Sequence, residues 1–316
     1  MARLCSDVCS LLNDALIKKL FQHKIFTVVD VLEEDSEKLV QILKLSYKEV
    51  LQVRHTIIAN YAAFPRKCND IYEDLVSNSA LIPTGIASVD GLLGGGLLTD
   101  QVWELCGPAG EGKTQLCLAA ACHAALALRQ PVHYVDTQLG FSGRRLQAAL
   151  EARAAPHQEM AGAMERVQVT RVSDSYQLLG ALHRLKTALQ DGREGGGAGR
   201  LVVVDSLAAL FFSYLGEDHN DGLSQLNHVA NVLRFLASEC HVAVVVVNVA
   251  VRGGDDLRQQ QDEAAAGTLR PALGRYWAHV PSTRLLLQDG TLSVAKSTHL
   301  PRGASCPVHV TDKGVE

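Results

Sequence analysis

Residues 107–114 of the chain read GPAGEGKT, three glycines spaced through a turn and followed at once by a lysine and a hydroxyl residue. Side-chain-free positions let backbone N–H groups point inward around an anion, a lysine reaches its outer oxygens, and a threonine hydroxyl is a ligand for a hard divalent cation. The pattern is a phosphate cradle, made of Gly107, Pro108, Ala109, Gly110, Glu111, Gly112, Lys113 and Thr114. Two acids end apolar runs downstream: Asp205 closes LVVVD and Asp136 closes HYVD. A carboxylate at the end of a core strand is what the cation on such a phosphate requires, and Asp205 is the candidate for Mg2+, directly or through water. Hydrolysis needs one more carboxylate to activate water. The other strand-end acid is Asp136, but its neighbour Gln138 is an amide, which can hydrogen-bond a water and cannot take its proton.

The elements that must hold these residues are legible around them. VWELCG precedes the cradle as a strand and TQLCLAAACHAALAL follows it as a helix, so the anion meets a helix N-terminus. PVHYVDT, RVQVTRV, RLVVVDS, VAVVVVNV and TRLLLQ are further strands, mostly apolar throughout, as in a mostly parallel sheet covered by helices on both faces. Helical stretches alternate with them, among them LNHVANVLRFLASEC, which puts Leu226, Val229, Leu233 and Leu236 on one face. The fold class is α/β with a small all-α domain ahead of it. Residues 1–63 repeat apolar positions at helical spacing with no Gly or Pro, residues 64–83 read as a linker, and residues 84–316 as the α/β domain.

Length and composition agree. At 316 residues, 47% hydrophobic and 20% charged, the chain holds enough apolar material for two domains and excludes a disordered or collagen-like protein. A net charge of −4 leaves no basic field for nucleic acid, so any such contact is local. The eight cysteines contain no CxxC pair and read as thiols in a reducing compartment, and no run reaches the length of a membrane span. The twelve histidines form no HExxH or spaced Cys/His set, so His123 and His241 read as core or surface residues, and Trp103 and Trp277 as packing.

The segment LIPTGIASVDGLLGGGLLTDQVWELCGPAGEGKTQLCLAAA, with YVDTQ, LVVVDSLAAL and VVVVNV after it, resembles the eukaryotic branch of the RecA-like recombinases. FTVVDVLEED and LKLSYKEVLQVR look like the small helical domain of that family, and RPALGRYWAHVPSTRLLL is similar to the D subfamily of its paralogues, which act in homologous recombination. The resemblance implies a RecA-like P-loop ATPase core, ATP and Mg2+ as cofactors, and a nuclear, and also cytoplasmic, subunit of a recombination-mediator complex. It places Lys113 and Thr114 on nucleotide and Mg2+, Asp205 on the metal side, Arg145 where the family stacks an arginine on adenine, and Gln138 where strand-exchange members carry their catalytic glutamate. Val249, after Asn248, falls where those members carry a γ-phosphate-sensing glutamine. The implied activity is ATP binding that stabilises subunit assembly with weak or no hydrolysis; the alternative is an active DNA-dependent ATPase that catalyses strand exchange itself.

The resemblance also implies partners: the C member through the ATPase domain, the smallest paralogue through the N-terminal domain, and single-stranded or branched DNA weakly, as part of the complex. Family members dock by inserting an aromatic of the linker into a neighbour's sheet, for which Tyr72 and Phe64 are candidates. The segments that would face DNA are acidic. YLGEDHNDG carries Glu217, Asp218 and Asp221 without a basic residue, and residues 252–270 set Arg252, Arg258 and Arg270 against Asp255, Asp256, Asp262 and Glu263. Asp100 replaces a glycine usual in the family and reads as a turn residue.

Overall fold

The computed structural model describes residues 3–63, 65–153, 156–191, 200–211, 220–252, 269–311 and 314–315. Phe64, residues 214–219 of the first acidic segment, and 253–268 of the second lie outside them. Backbone contacts divide the chain into two compact units, Met1–Asp74 and Leu75–Glu316.

The first unit begins with four helices, α1 (Asp14–Gln22), α2 (Val28–Glu33), α3 (Ser36–Leu43) and α4 (Tyr47–Tyr61). Each starts where a short polar side chain can accept from its exposed N–H groups. Asn13 accepts from Leu16 N, Asp35 from Glu37 N, and Thr27 with Asp30 and Ser46 with Glu49 form reciprocal capping boxes. Leu20, Val31, Leu39 and Ile57 are fully buried in its core. Arg54 of α4 closes the far end of α2, donating to the carbonyls of Val31, Leu32 and Glu34 and to Ser36 Oγ.

Those capping carboxylates make the unit sensitive to acid. The backbone N–H groups of Phe26 and Thr27 hold Asp30 below its ordinary 3.8, and the Ser46 hydroxyl and N–H hold Glu49 below 4.5. A depressed native pKa contributes stability that is complete above the unfolded value and lost as pH falls through the native one. The helical signal of the first unit is therefore expected to weaken below about pH 4.5, and less steeply in the double variant Asp30→Asn, Glu49→Gln. Far-UV circular dichroism melts across pH 3 to 6 check this, and superimposable pH profiles would refute it.

The stretch read as a linker is not extended throughout. Cys68–Asn78 form a helix, α5, with no buried residue, and Leu81–Ile82 form β1, paired antiparallel with β2 (Leu97–Leu98). Its apolar residues Ile71, Tyr72, Leu75 and Val76 recur at helical spacing, but all four stay exposed and none packs into a core. Between β1 and β2 lies α6 (Ala87–Leu92), where Asp90 accepts from Thr84 N and Oγ1, both at 2.7 Å, and from Gly85 N.

In the second unit β3 (Val102–Gly107), β4 (Val132–Asp136), β5 (Val167–Arg171), β6 (Leu201–Asp205), β7 (Ala243–Arg252) and β9 (Thr283–Gln288) run parallel; β10 (Thr291–Lys296) and β11 (Ser305–Pro307) add antiparallel at one edge. The order is β11-β10-β9-β3-β7-β6-β4-β5, with β8 (Leu269–Pro271) on β7. Alternate residues face opposite layers: Leu201, Val203, Ala243 and Val245 pack beneath α7 (Lys113–Leu126), α8 (Gly143–Glu151) and α9 (His157–Arg166). Val202, Val204, Val244 and Val246 pack beneath α10 (Ser175–Asp191), α11 (Leu207–Phe211) and α12 (Asn220–Cys240). Covering both faces is what allows strands to be apolar at every position.

Strands β3 and β4 follow one another in sequence but lie apart, separated by β7 and β6. Their carboxyl ends lie at one end of the sheet, the crevice position where such folds usually bind ligands. At the opposite, amino end of the strands Asp100, in the left-handed region at φ 65°, pairs with His241 at 2.5 Å and accepts from Ser79 and Thr99 hydroxyls. The residue read from sequence as a simple turn is the hub of a polar cluster that ties Ser79 to the starts of β3 and β7.

Candidate nucleotide site

Strand β3 delivers Gly107 to the crevice, and helix α7 begins at Lys113. Gly107 must be glycine because a Cβ there would stand 2.1 Å from Leu287 O of β9. Gly112 is held at φ 98° against Val310 of the C-terminal strand β12 (Val310–Thr311), so the loop turns tightly into the helix. Lys113 is 8% exposed, and its Nζ lies inside the loop, donating to Gly107 O at 2.8 Å and to Pro108 O. Burial pushes its pKa down, opposed by the nearby Asp205 carboxylate. An ammonium desolvated in this way gains strongly from an anion beside it.

Thr114 Oγ1 donates to Asp205 Oδ2 at 2.7 Å, bringing together two residues 91 positions apart. Tyr134 OH donates to the same oxygen at 2.8 Å, and burial pushes the phenol's own pKa up, so Tyr134 stays a donor. A hydroxyl and a carboxylate side by side at a helix N-terminus are an all-oxygen donor set suited to Mg2+, and the loop's geometry suits a polyphosphate. The residues present fit both groups.

Asp136 has a different task. Its carboxylate accepts from Gln138 N at 3.2 Å, Gly140 N at 3.0 Å and Phe141 N at 3.1 Å, and it closes the loop after β4. Gln138 stands exposed on that loop. Arg145 lies on the exposed side of α8, and with the Gln115 carboxamide turned oxygen-first its Nε donates there at 3.2 Å. Gln115 is the neighbour of Thr114, so Arg145 stands beside the first turn of the phosphate helix. Val249, opposite Gly107 in the β3–β7 register, is half-buried and apolar.

Sequence reasoning missed Tyr134 as a support of Asp205 and missed a buried triad beneath the site. Glu104 of β3, fully buried, accepts from Asn248 Nδ2 of β7 at 2.7 Å and from Arg284 Nε of β9. Asn248 in turn accepts from Val249 N at 2.8 Å. A signal was present: Glu104 and Asn248 are polar residues inside otherwise apolar strands, and buried polar groups require partners.

A strand, glycine loop and helix with a strand-end acid two strands away define a P-loop protein with a RecA-like core. Residues 77–316 match the Rad51 family, and residues 1–60 match the RAD51D N-terminal domain. The chain belongs to the Rad51 family. It is 38% identical to the DNA repair protein RAD51 homolog 4 of Bos taurus, over 99% of this chain and 97% of that one, and 36% identical to its Mus musculus counterpart. A more distant relative is the DNA repair and recombination protein RadB of Pyrococcus abyssi, 29% identical over 74% of this chain and 93% of its own.

Proposed function

We propose that the chain is an ATP-binding, Mg2+-dependent subunit of a recombinase-paralogue complex that supports homologous-recombination DNA repair in the nucleus, with nucleotide stabilising subunit assembly and little turnover. The observation that carries this reading is the contrast within one site. The cradle, Lys113 and the Thr114–Asp205 pair are complete, while the exposed position beside the crevice holds the amide of Gln138. Bound Mg2+ would neutralise phosphate charge; the chain's own residues wrap the phosphates, position the metal-side oxygens and leave water without a base. A ligand that binds only the assembled state stabilises it by mass action without being consumed.

Partner docking is supported by exposed apolar side chains. On α5, Ile71, Tyr72, Leu75 and Val76 all face solvent, Tyr72 at 64%. Here the proposed aromatic anchor sits on a helix, so docking of an extended segment would require α5 to unwind. The open edge of the sheet at β5 is a second docking element, suited to strand addition. The assembly reading includes the C member at the ATPase domain, the smallest paralogue at the N-terminal domain, and weak contact with single-stranded or branched DNA.

The test is phosphate release by the purified chain on single-stranded DNA. ATP is expected to bind with turnover near background, and Gln138→Glu, which restores a carboxylate, is expected to raise turnover by about 10-fold or more, part of the roughly 10²–10⁴-fold a general base supplies. Wild-type turnover equal to that of an active recombinase would overturn the reading in favour of a strand-exchange enzyme.

A further inference from the structure

On the helical layer beneath the other face of the sheet, α10 and α12 each carry one exposed histidine, and the two rings meet. His183 Nε2 and His228 Nε2 are 3.1 Å apart, with ring centroids 5.2 Å apart and planes at 69°. Neither helix face otherwise calls for imidazole. Both histidines stand at the solvent side of helices whose inner faces, Leu178, Leu182 and Leu185 on one and Leu226, Val229 and Leu233 on the other, are buried. Among the described residues no three His, Cys, Asp or Glu side chains converge on a point, so any metal held by this chain alone is held by fewer protein ligands.

We propose that His183 and His228 form a two-histidine site for a borderline transition-metal ion of the zinc, nickel or copper class, clasping α10 to α12. The geometry fits. With metal–nitrogen bonds of about 2.0–2.1 Å, two nitrogens 3.1 Å apart subtend about 98° at the metal, between the square-planar and tetrahedral angles. Imidazole selects these ions over Mg2+ and Ca2+, which take oxygen ligands. Exposure of both rings leaves the remaining coordination positions to water. Lys186 lies one helical turn from His183 on α10. Lys186 itself is turned away onto the Phe235 ring at 3.7 Å. Without metal, one imidazole donates to the other; coordination exchanges that single hydrogen bond for two bonds to the ion.

The experiment titrates Zn2+ and, separately, Ni2+ into the untagged full-length chain at pH 7.5 by calorimetry, alongside His183→Gln, His228→Gln and the thiol control Cys5→Ser with Cys68→Ser. One ion per chain is expected at this site, with binding weakened at least about tenfold in either glutamine variant, because losing a direct ligand costs no less than losing an outer-shell partner. The melting midpoint of the wild type is expected to rise by roughly 5 °C at saturating metal, with no such rise in the glutamine variants. Both glutamine variants should melt with the wild type when metal is absent, which separates loss of the site from loss of the fold. Unchanged binding in His228→Gln, or loss of binding in the thiol control, would overturn the proposal, as would no binding of Zn2+ at millimolar concentration.

Discussion

Lys113→Ala is expected to weaken ATP binding by at least about 30-fold, because each charge-assisted hydrogen bond it makes to phosphate contributes about 1.5–3 kcal/mol. The fold itself should not suffer. The ammonium is buried, its pKa is driven down by desolvation, and among the described residues its hydrogen-bond partners are carbonyls of its own loop. The alanine variant is therefore expected to melt at or above the wild-type midpoint in the absence of nucleotide. If nucleotide stabilises assembly, co-purification with the partner paralogues should fall together with ATP affinity. A variant that loses ATP yet retains full partner binding, with and without ATP, would separate the two and remove the coupling. A fluorescent ATP analogue, calorimetric melting and co-purification measure the three quantities independently.

The second large effect lies one layer below the site. Glu104→Ala is expected to destabilise the second unit by about 3–5 kcal/mol, the cost of leaving one partner of a buried ion pair without the other. Arg284 is only 15% exposed and already has a buried Nη2 without a hydrogen-bond partner, and Asn248 would lose its acceptor as well. For a unit of this size the melting midpoint should fall by about 6–20 °C. Replacing both members, Glu104→Met with Arg284→Met, should recover most of that loss, because no uncompensated charge then remains. Chemical denaturation resolves the two cases. A double variant no more stable than Glu104→Ala would show that charge pairing is not what Glu104 contributes. Since β3 ends at Gly107 and Asn248 holds the backbone of Val249, ATP affinity is expected to fall with stability in the single variant and to return in the double one.

Much of the second unit was legible because its strands and helices advertise themselves. The six parallel strands stand where the apolar runs VWELCG, PVHYVDT, RVQVTRV, RLVVVDS, VAVVVVNV and TRLLLQ place them, and Leu226, Val229, Leu233 and Leu236 line the buried face of α12. The cradle was readable because its residues are contiguous: a loop of eight positions needs no tertiary information to be recognised. Short elements were not. Strands β1, β2 and β11 carry only two or three residues each, too few to impose a period on the sequence.

What the sequence determined by itself was local chemistry: a glycine-rich loop of phosphate-binding pattern, two strand-end acids, and an amide at position 138 just beyond one of them. What only the tertiary structure decided was which distant residues share an atom. Asp205 Oδ2 receives both Thr114 and Tyr134, Glu104 joins β7 to β9, and Asp100 meets His241 across 141 positions. The physical reason is that these contacts depend on strand order and register, which follow from how the whole sheet buries its two faces. No window of sequence contains that information, and a one-residue change of register would have sent the strand residues among them, Glu104, Tyr134 and Asp205, to the opposite face.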